Sequence, residues 1–138
     1  MTSNFQIKQA VNDEQLQQIA ILADTIWHEH FTSIIGTAQV EYMLDKFQSF
    51  PALKRQLTDG YEYYQIFDNT DFCGYCGIHP QDGKLFLSKL CSIWLTCNKH
   101  NDSSLAVYRH LGFQTIDTQN ADIGNGFVMD DYIMECRI

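Results

Sequence analysis

From Leu85 to Cys97 the chain runs thirteen residues, LFLSKLCSIWLTC, with one charge, Lys89, and no glycine, proline, asparagine or aspartate. Such a run is either one strand or two strands with nothing between them. As one strand it would span roughly 43 Å at about 3.3 Å per residue, far beyond the usual five or six residues. Alternation permits that reading, because Leu85, Leu87, Cys91, Ile93, Leu95 and Cys97 share a face on which only Lys89 is charged. As two parallel neighbours, it lacks the crossover of about a dozen or more residues that such strands require.

The remaining segments read more simply. Phe5 to Ala10 alternates as a short strand. Asn12 and Gln15 form a capping-box pattern, and Leu16, Ile19, Ala20, Ala23, Ile26 and Trp27 follow at helical spacing. This helix is expected to fray near His28 to Phe31, with a loop over Ser33 to Gly36. Thr37 is expected to cap a second helix, whose stripe is Val40, Met43, Leu44 and Phe47. Ser49-Phe50-Pro51 opens a third, and Gly60 closes it. Tyr61 to Phe67 and Phe72 to Ile78 read as strands joined by a polar turn, and PQDGK (Pro80 to Lys84) reads as another turn. Asn101 or Asp102 caps a helix through Leu111 that Gly112 stops, with Leu105, Tyr108 and Leu111 spaced three apart. Phe113 to Thr118 and Phe127 to Ile138 read as closing strands. The order implies one domain over residues 1–138, an α/β (α+β) sandwich around a mixed sheet.

Composition narrows the function. With 138 residues, 45% of them apolar, and no apolar window of membrane-spanning length, a folded non-membrane protein is expected. A net charge of −8 argues against nonspecific partnership with nucleic acid or an anionic membrane, and is compatible with an amine substrate. The opening MTSNFQIKQAVNDEQ lacks the pattern of a secretory signal, so a cytoplasmic location is expected. Five cysteines in such a chain suggest reduced thiols. The CGYC pair, Cys73 and Cys76, falls in a strand where positions i and i+3 face opposite ways. Buried thiols are expected there, with no metal site: no second CxxC exists, and HEH (His28 to His30) has no zinc-ligand spacing.

The segment NDSSLAVYRHLGF, Asn101 to Phe113, resembles the closing motif of the GNAT superfamily of N-acetyltransferases, with an asparagine seven residues before a helical tyrosine and a Leu-Gly-Phe turn after it. The element order extends the resemblance over most of the chain. KLFLSKL would be the family's fourth strand, SIWLTCNKHN its fifth and GNGFVMDDYIMECRI its last, giving a mostly antiparallel central sheet flanked by helices. The resemblance implies transfer of acetyl from acetyl-coenzyme A to a small-molecule or peptide amine, directly and in a ternary complex. It casts Tyr108 as the acid for the departing thiolate. Asn101 would bind the coenzyme's pantetheine arm or the substrate-side backbone, and Leu87 and Leu90 would supply backbone groups to the cofactor. Tyr108 could equally pack its ring in a core, and Asn101 could simply cap its helix. Trp27, His28, His30 and Phe31 are candidates to line the acceptor pocket, with Glu29 or a histidine taking the amine's proton. Asp130, Asp131 and Tyr132 could form a partly acidic wall for a cationic amine.

The family's pyrophosphate loop, Gln/Arg-x-x-Gly-x-Gly/Ala, and the helix it opens have no counterpart in this sequence. Leu90 is followed directly by Cys91-Ser92-Ile93-Trp94. ADIGNG (Ala121 to Gly126) has the glycine spacing, but it lacks the leading residue and precedes a strand, so it is rejected as that loop. Two readings follow. In one, an active parent carries crossover residues that this chain lacks. In the other, the shortened chain is catalytically inactive and acts through assembly, for instance as a strand-exchanged homodimer.

Overall fold

The computed structural model describes residues 4–80 and 92–137. The Leu90–Cys91 junction, the two leucines expected at the cofactor (Leu87 and Leu90) and the turn after Pro80 lie outside the described residues. The chain divides into two compact units, Met1–Pro80 and Gln81–Ile138.

In the first unit, β1 (Phe5–Gln9), β2 (Glu62–Asp68) and β3 (Asp71–Ile78) form an antiparallel sheet in that order. Between β1 and β2 come α1 (Asp13–Ile35), α2 (Thr37–Met43), a π-helical turn (Leu44–Gln48) and α3 (Phe50–Thr58). The Asn12–Gln15 capping box forms as expected, with Asn12 Oδ1 accepting from the Gln15 amide at 2.9 Å. Ser49 caps α3 through the Ala52 amide, and Gly60 sits at φ +96, where a side chain would be strained.

Three local expectations are overturned. Helix α1 does not fray at His28 but continues to Ile35, because Trp27, Phe31 and Ile35 pack against the buried Ala23, Val40 and Leu44. Gly36, at φ +83, ends it and also precedes α2, so Thr37 is the first helical residue and supplies no side-chain cap. Cys73 and Cys76 are exposed and not buried. Cys73 is the extra residue of a β-bulge opposite Ile66–Phe67, and Cys76 lies across from Tyr64 on the sheet face away from the helices.

That helix-covered face is the core of the unit: Leu16 and Ile19 of α1, Leu53 of α3, Ala10 and Tyr63. Gly77 pairs with Tyr63, and a Cβ there would meet the ring at 2.6 Å. Tyr63 is buried and its hydroxyl donates to Gln56 Oε1, so the ring has little room to retreat; the same burial pushes its phenol up to about 12. Gly77→Ala is therefore expected to cost about 1–3 kcal/mol by overpacking, read as a lower urea midpoint with an unchanged slope. An unchanged midpoint would show that the ring can swing aside.

In the second unit, β4 (Ser92–Asn98), α4 (Asp102–His110), β5 (Gln114–Gly124) and β6 (Phe127–Arg137) form an antiparallel sheet in the order β4-β6-β5. Strand β5 runs six residues past the expected Thr118. The reason is Asn125-Gly126, with φ of +54 and +78, a two-residue hairpin turn of the type that Asn-Gly favours. ADIGNG is thus the tip of a hairpin. Cys97, Leu105 and Met134 make the core with Tyr108, Phe113 and Tyr132 around them, whereas Leu111, expected on the helix stripe, is 61% exposed just past the helix end. Every described pairing is antiparallel, and no described helix is long and apolar enough to cross a membrane.

Candidate active site

In the second unit the closing motif folds into one short structural sentence of helix, turn and strand. Asn101 stands at the N-cap of α4 and is buried, yet its side chain makes no capping bond to the helix amides. Its Oδ1 accepts from Ser103 Oγ at 3.4 Å. Tyr108, two turns along, is half-buried, and its ring meets Phe113 edge-to-face at 5.7 Å. Gly112, at φ +98, makes the turn that returns Phe113 beneath the tyrosine. Ser103, Ser104, Val107 and Tyr108 line a shallow depression of about 220 Å³.

Asp130 and Tyr132 lie on the α4 side of β6. Lys99 Nζ pairs with Asp130 Oδ1 at 2.7 Å and stands over the Tyr132 ring. The bond to Asp130 raises the lysine's pKa. The Asp130 charge is thereby matched within the protein. Asp131 alternates to the opposite face, where β4 and β5 place Asn98 and Gln119 directly across from it. It is only 4% exposed, and burial raises its carboxyl pKa. Asp130 adds to that rise, while the Gln119 bond and Lys99 oppose it.

In the first unit, the Trp27 and Phe31 rings meet at 4.8 Å, tilted by 43°, and His30 meets Phe31 edge-on at 4.8 Å. Trp27 Nε1 donates to the Tyr75 hydroxyl at 3.1 Å, which donates to Gln48 Oε1 at 2.7 Å. Burial raises the Tyr75 phenol pKa, and the bond from Trp27 opposes it. His28 Nδ1 donates to the Asp24 carbonyl at 2.8 Å, leaving Nε2 3.9 Å from Glu41 Oε1. This histidine lines a cleft of about 330 Å³ with Asp24, Glu41, Leu44, Asp45 and Gln48. Four of the five expected helix residues thus fall into two contacting groups, the aromatic trio and the cleft histidine. Glu29 is exposed and shares neither. Among the described residues no cluster of histidine, cysteine and carboxylate could hold a metal.

No protein-family model and no curated protein matches the sequence. Solved structures do. A GCN5-related N-acetyltransferase from Rhodopseudomonas palustris superposes with a TM-score of 0.73 at 12% identity, over 100% of this chain and 99% of that one. The chain has the GNAT acetyltransferase fold. The PaiA N-acetyltransferase of Thermoplasma acidophilum, solved with coenzyme A, gives 0.68 at 14% identity over 98% and 99% of the two chains. Spermidine N-acetyltransferase from Vibrio cholerae, solved with coenzyme A and spermine, gives 0.59 at 14% identity over 96% and 95%. The motif-based expectation of a GNAT fold, an α+β arrangement with antiparallel sheets and flanking helices, therefore holds.

Proposed function

We propose that this chain, acting as one acyltransferase domain, is an acetyl-coenzyme A-dependent N-acetyltransferase that acylates an amine directly. The observation that carries this reading is Tyr108, half-buried on the second turn of α4 and opening onto a hollow with Ser103 and Ser104. It is supported by the coenzyme A and amine ligands of the structural neighbours. Asn101, Ser103 and Ser104 hold the cofactor's arm, with Leu87 and Leu90 supplying backbone donors to the thioester. Amine attack on the thioester carbon expels the thiolate, and Tyr108 protonates it. His28, which lines an acidic cleft, takes the amine's proton in this reading in preference to the exposed Glu29.

The test is product detection by mass spectrometry after incubation with acetyl-coenzyme A and a panel of amines. Colorimetric thiol reagents are unsuitable, since Cys73 and Cys76 are exposed. Acetylated amine formed at a rate proportional to protein supports the reading. No product, together with no calorimetric heat on adding acetyl-coenzyme A, overturns it and leaves the inactive assembly module, which light scattering would show as a homodimer.

A further inference from the structure

We propose that Tyr75 is a positioning residue for the acceptor amine: its hydroxyl ties α1 and the π-helical turn to one point on β3 and so sets the spacing of the walls of the His28 cleft. This rests on the acetyltransferase reading above, in which His28 takes the amine's proton. Ala20, Asp24 and His28, at four-residue spacing on α1, form one wall of that cleft. Leu44, Asp45 and Gln48 of the π-helical turn form another.

The Tyr75 ring packs against both core clusters of the unit, the one around Leu16 and Leu53 and the one around Ala23 and Val40. A phenylalanine ring would pack there equally well, and without the cost of taking a hydroxyl out of water. The hydroxyl therefore answers to another need, and its two bonds show which. An indole N–H can only donate, so Trp27 Nε1 takes a lone pair of the Tyr75 hydroxyl at 3.1 Å. The hydroxyl's own proton goes to Gln48 Oε1 at 2.7 Å. Trp27 directly precedes His28 on α1, and Gln48 closes the π-helical turn, so one hydroxyl holds both elements.

The turn needs an outside hold. Its ladder reaches one residue further than that of an α-helix, a rare arrangement, and Leu44-Asp45-Lys46-Phe47-Gln48 contains no glycine or proline to impose it. Side chains support it instead. Ser49 Oγ donates to the Asp45 carbonyl at 2.7 Å, Gln56 Nε2 to the Phe47 carbonyl at 2.8 Å, and Tyr75 to the Gln48 side chain. Tyr75 is the one of the three that also bonds α1. A shift of one residue along a helix is a rotation of about 100°. Relaxing the turn to an α ladder would therefore swing Asp45 and Gln48 out of the cleft.

Tyr75→Phe keeps the ring and removes only the bridge. With acetyl-coenzyme A and benzylamine, KM for the amine should rise about five- to tenfold, because the amine binds only the fraction of molecules whose walls are in place. kcat and KM for acetyl-coenzyme A should stay within about twofold. Gln48→Met removes the other end of the bridge, and the double variant should be no worse than Gln48→Met alone. Additive losses, or a fall in kcat with KM unmoved, overturn the inference while leaving the transferase reading intact; that reading fails on its own test, in the wild-type protein. Hydrogen exchange read by mass spectrometry follows the walls without turnover. Amides over residues 44–49 should exchange about tenfold faster in Tyr75→Phe, with those over residues 16–26 of α1 unchanged. Unaltered exchange over 44–49, or faster exchange throughout the unit, overturns the inference whatever the activity.

Discussion

Replacing Tyr108 by phenylalanine is expected to lower kcat for acetyl transfer about a hundredfold, with the thermal midpoint nearly unchanged. The substitution keeps the ring, its edge-to-face contact with Phe113 and its packing in the cluster of Cys97, Leu105 and Met134. Only the hydroxyl goes. General acids contribute about 10²- to 10⁴-fold, and the lower end applies because a thiolate, with a thiol pKa near 8.5, already leaves well. The hydroxyl donates a hydrogen bond to the developing negative sulfur and passes its proton to it as the thiolate leaves. KM for acetyl-coenzyme A should change little, since that contact strengthens only as charge develops. A loss of less than threefold would remove Tyr108 from the chemistry and leave it a packing residue.

The parts of this fold that could be read from sequence are those set by local physics. The Asn12–Gln15 box and the Ser49, Pro51 and Gly60 boundaries each depend on neighbours within a few residues, and each formed as expected. The length of α1 did not, because its last two turns are held by Val40 and Leu44 from outside the helix. Asn125-Gly126 is a strong local hairpin signal, and it sets where β5 ends and β6 begins.

The acidic stretch of β6 shows the same boundary at finer scale. Alternation alone says that Asp130 and Asp131 point to opposite faces. Which of them pairs with Lys99 is fixed by the long-range register of β4 on β6. The sequence offers Asp130, Asp131 and Tyr132 as one wall, and the register divides it, with Asp130 and Tyr132 on the α4 face and Asp131 on the other.

Leu53→Ala should be the most damaging substitution to the first unit. Leu53 is fully buried on α3, against Leu16, Ile19 and Tyr63, which are themselves nearly inaccessible. Removing its branched end leaves a cavity that rigid neighbours cannot fill, at a cost of about 2–5 kcal/mol. That is a large part of the ~5–15 kcal/mol that holds a typical domain folded. The two tryptophans allow the loss to be located, since Trp27 belongs to the first unit and Trp94 to the second. In a Trp94→Phe background, the urea midpoint reported by Trp27 should fall in proportion to the lost stability, while Leu111→Ala, at a 61% exposed position, should leave stability within about 0.5 kcal/mol. The functional consequence should follow from the same contact. Gln56 on α3 donates to the Phe47 carbonyl in the π-helical turn that carries Gln48, and Gln48 accepts from Tyr75, which Trp27 contacts in turn. Loosening α3 therefore loosens the aromatic group proposed to meet the acceptor, so KM for the amine should rise at urea concentrations below those that unfold the variant. A Leu53→Ala protein with a wild-type midpoint would show that α3 is not anchored by this residue, and that the route from core packing to the acceptor pocket runs elsewhere.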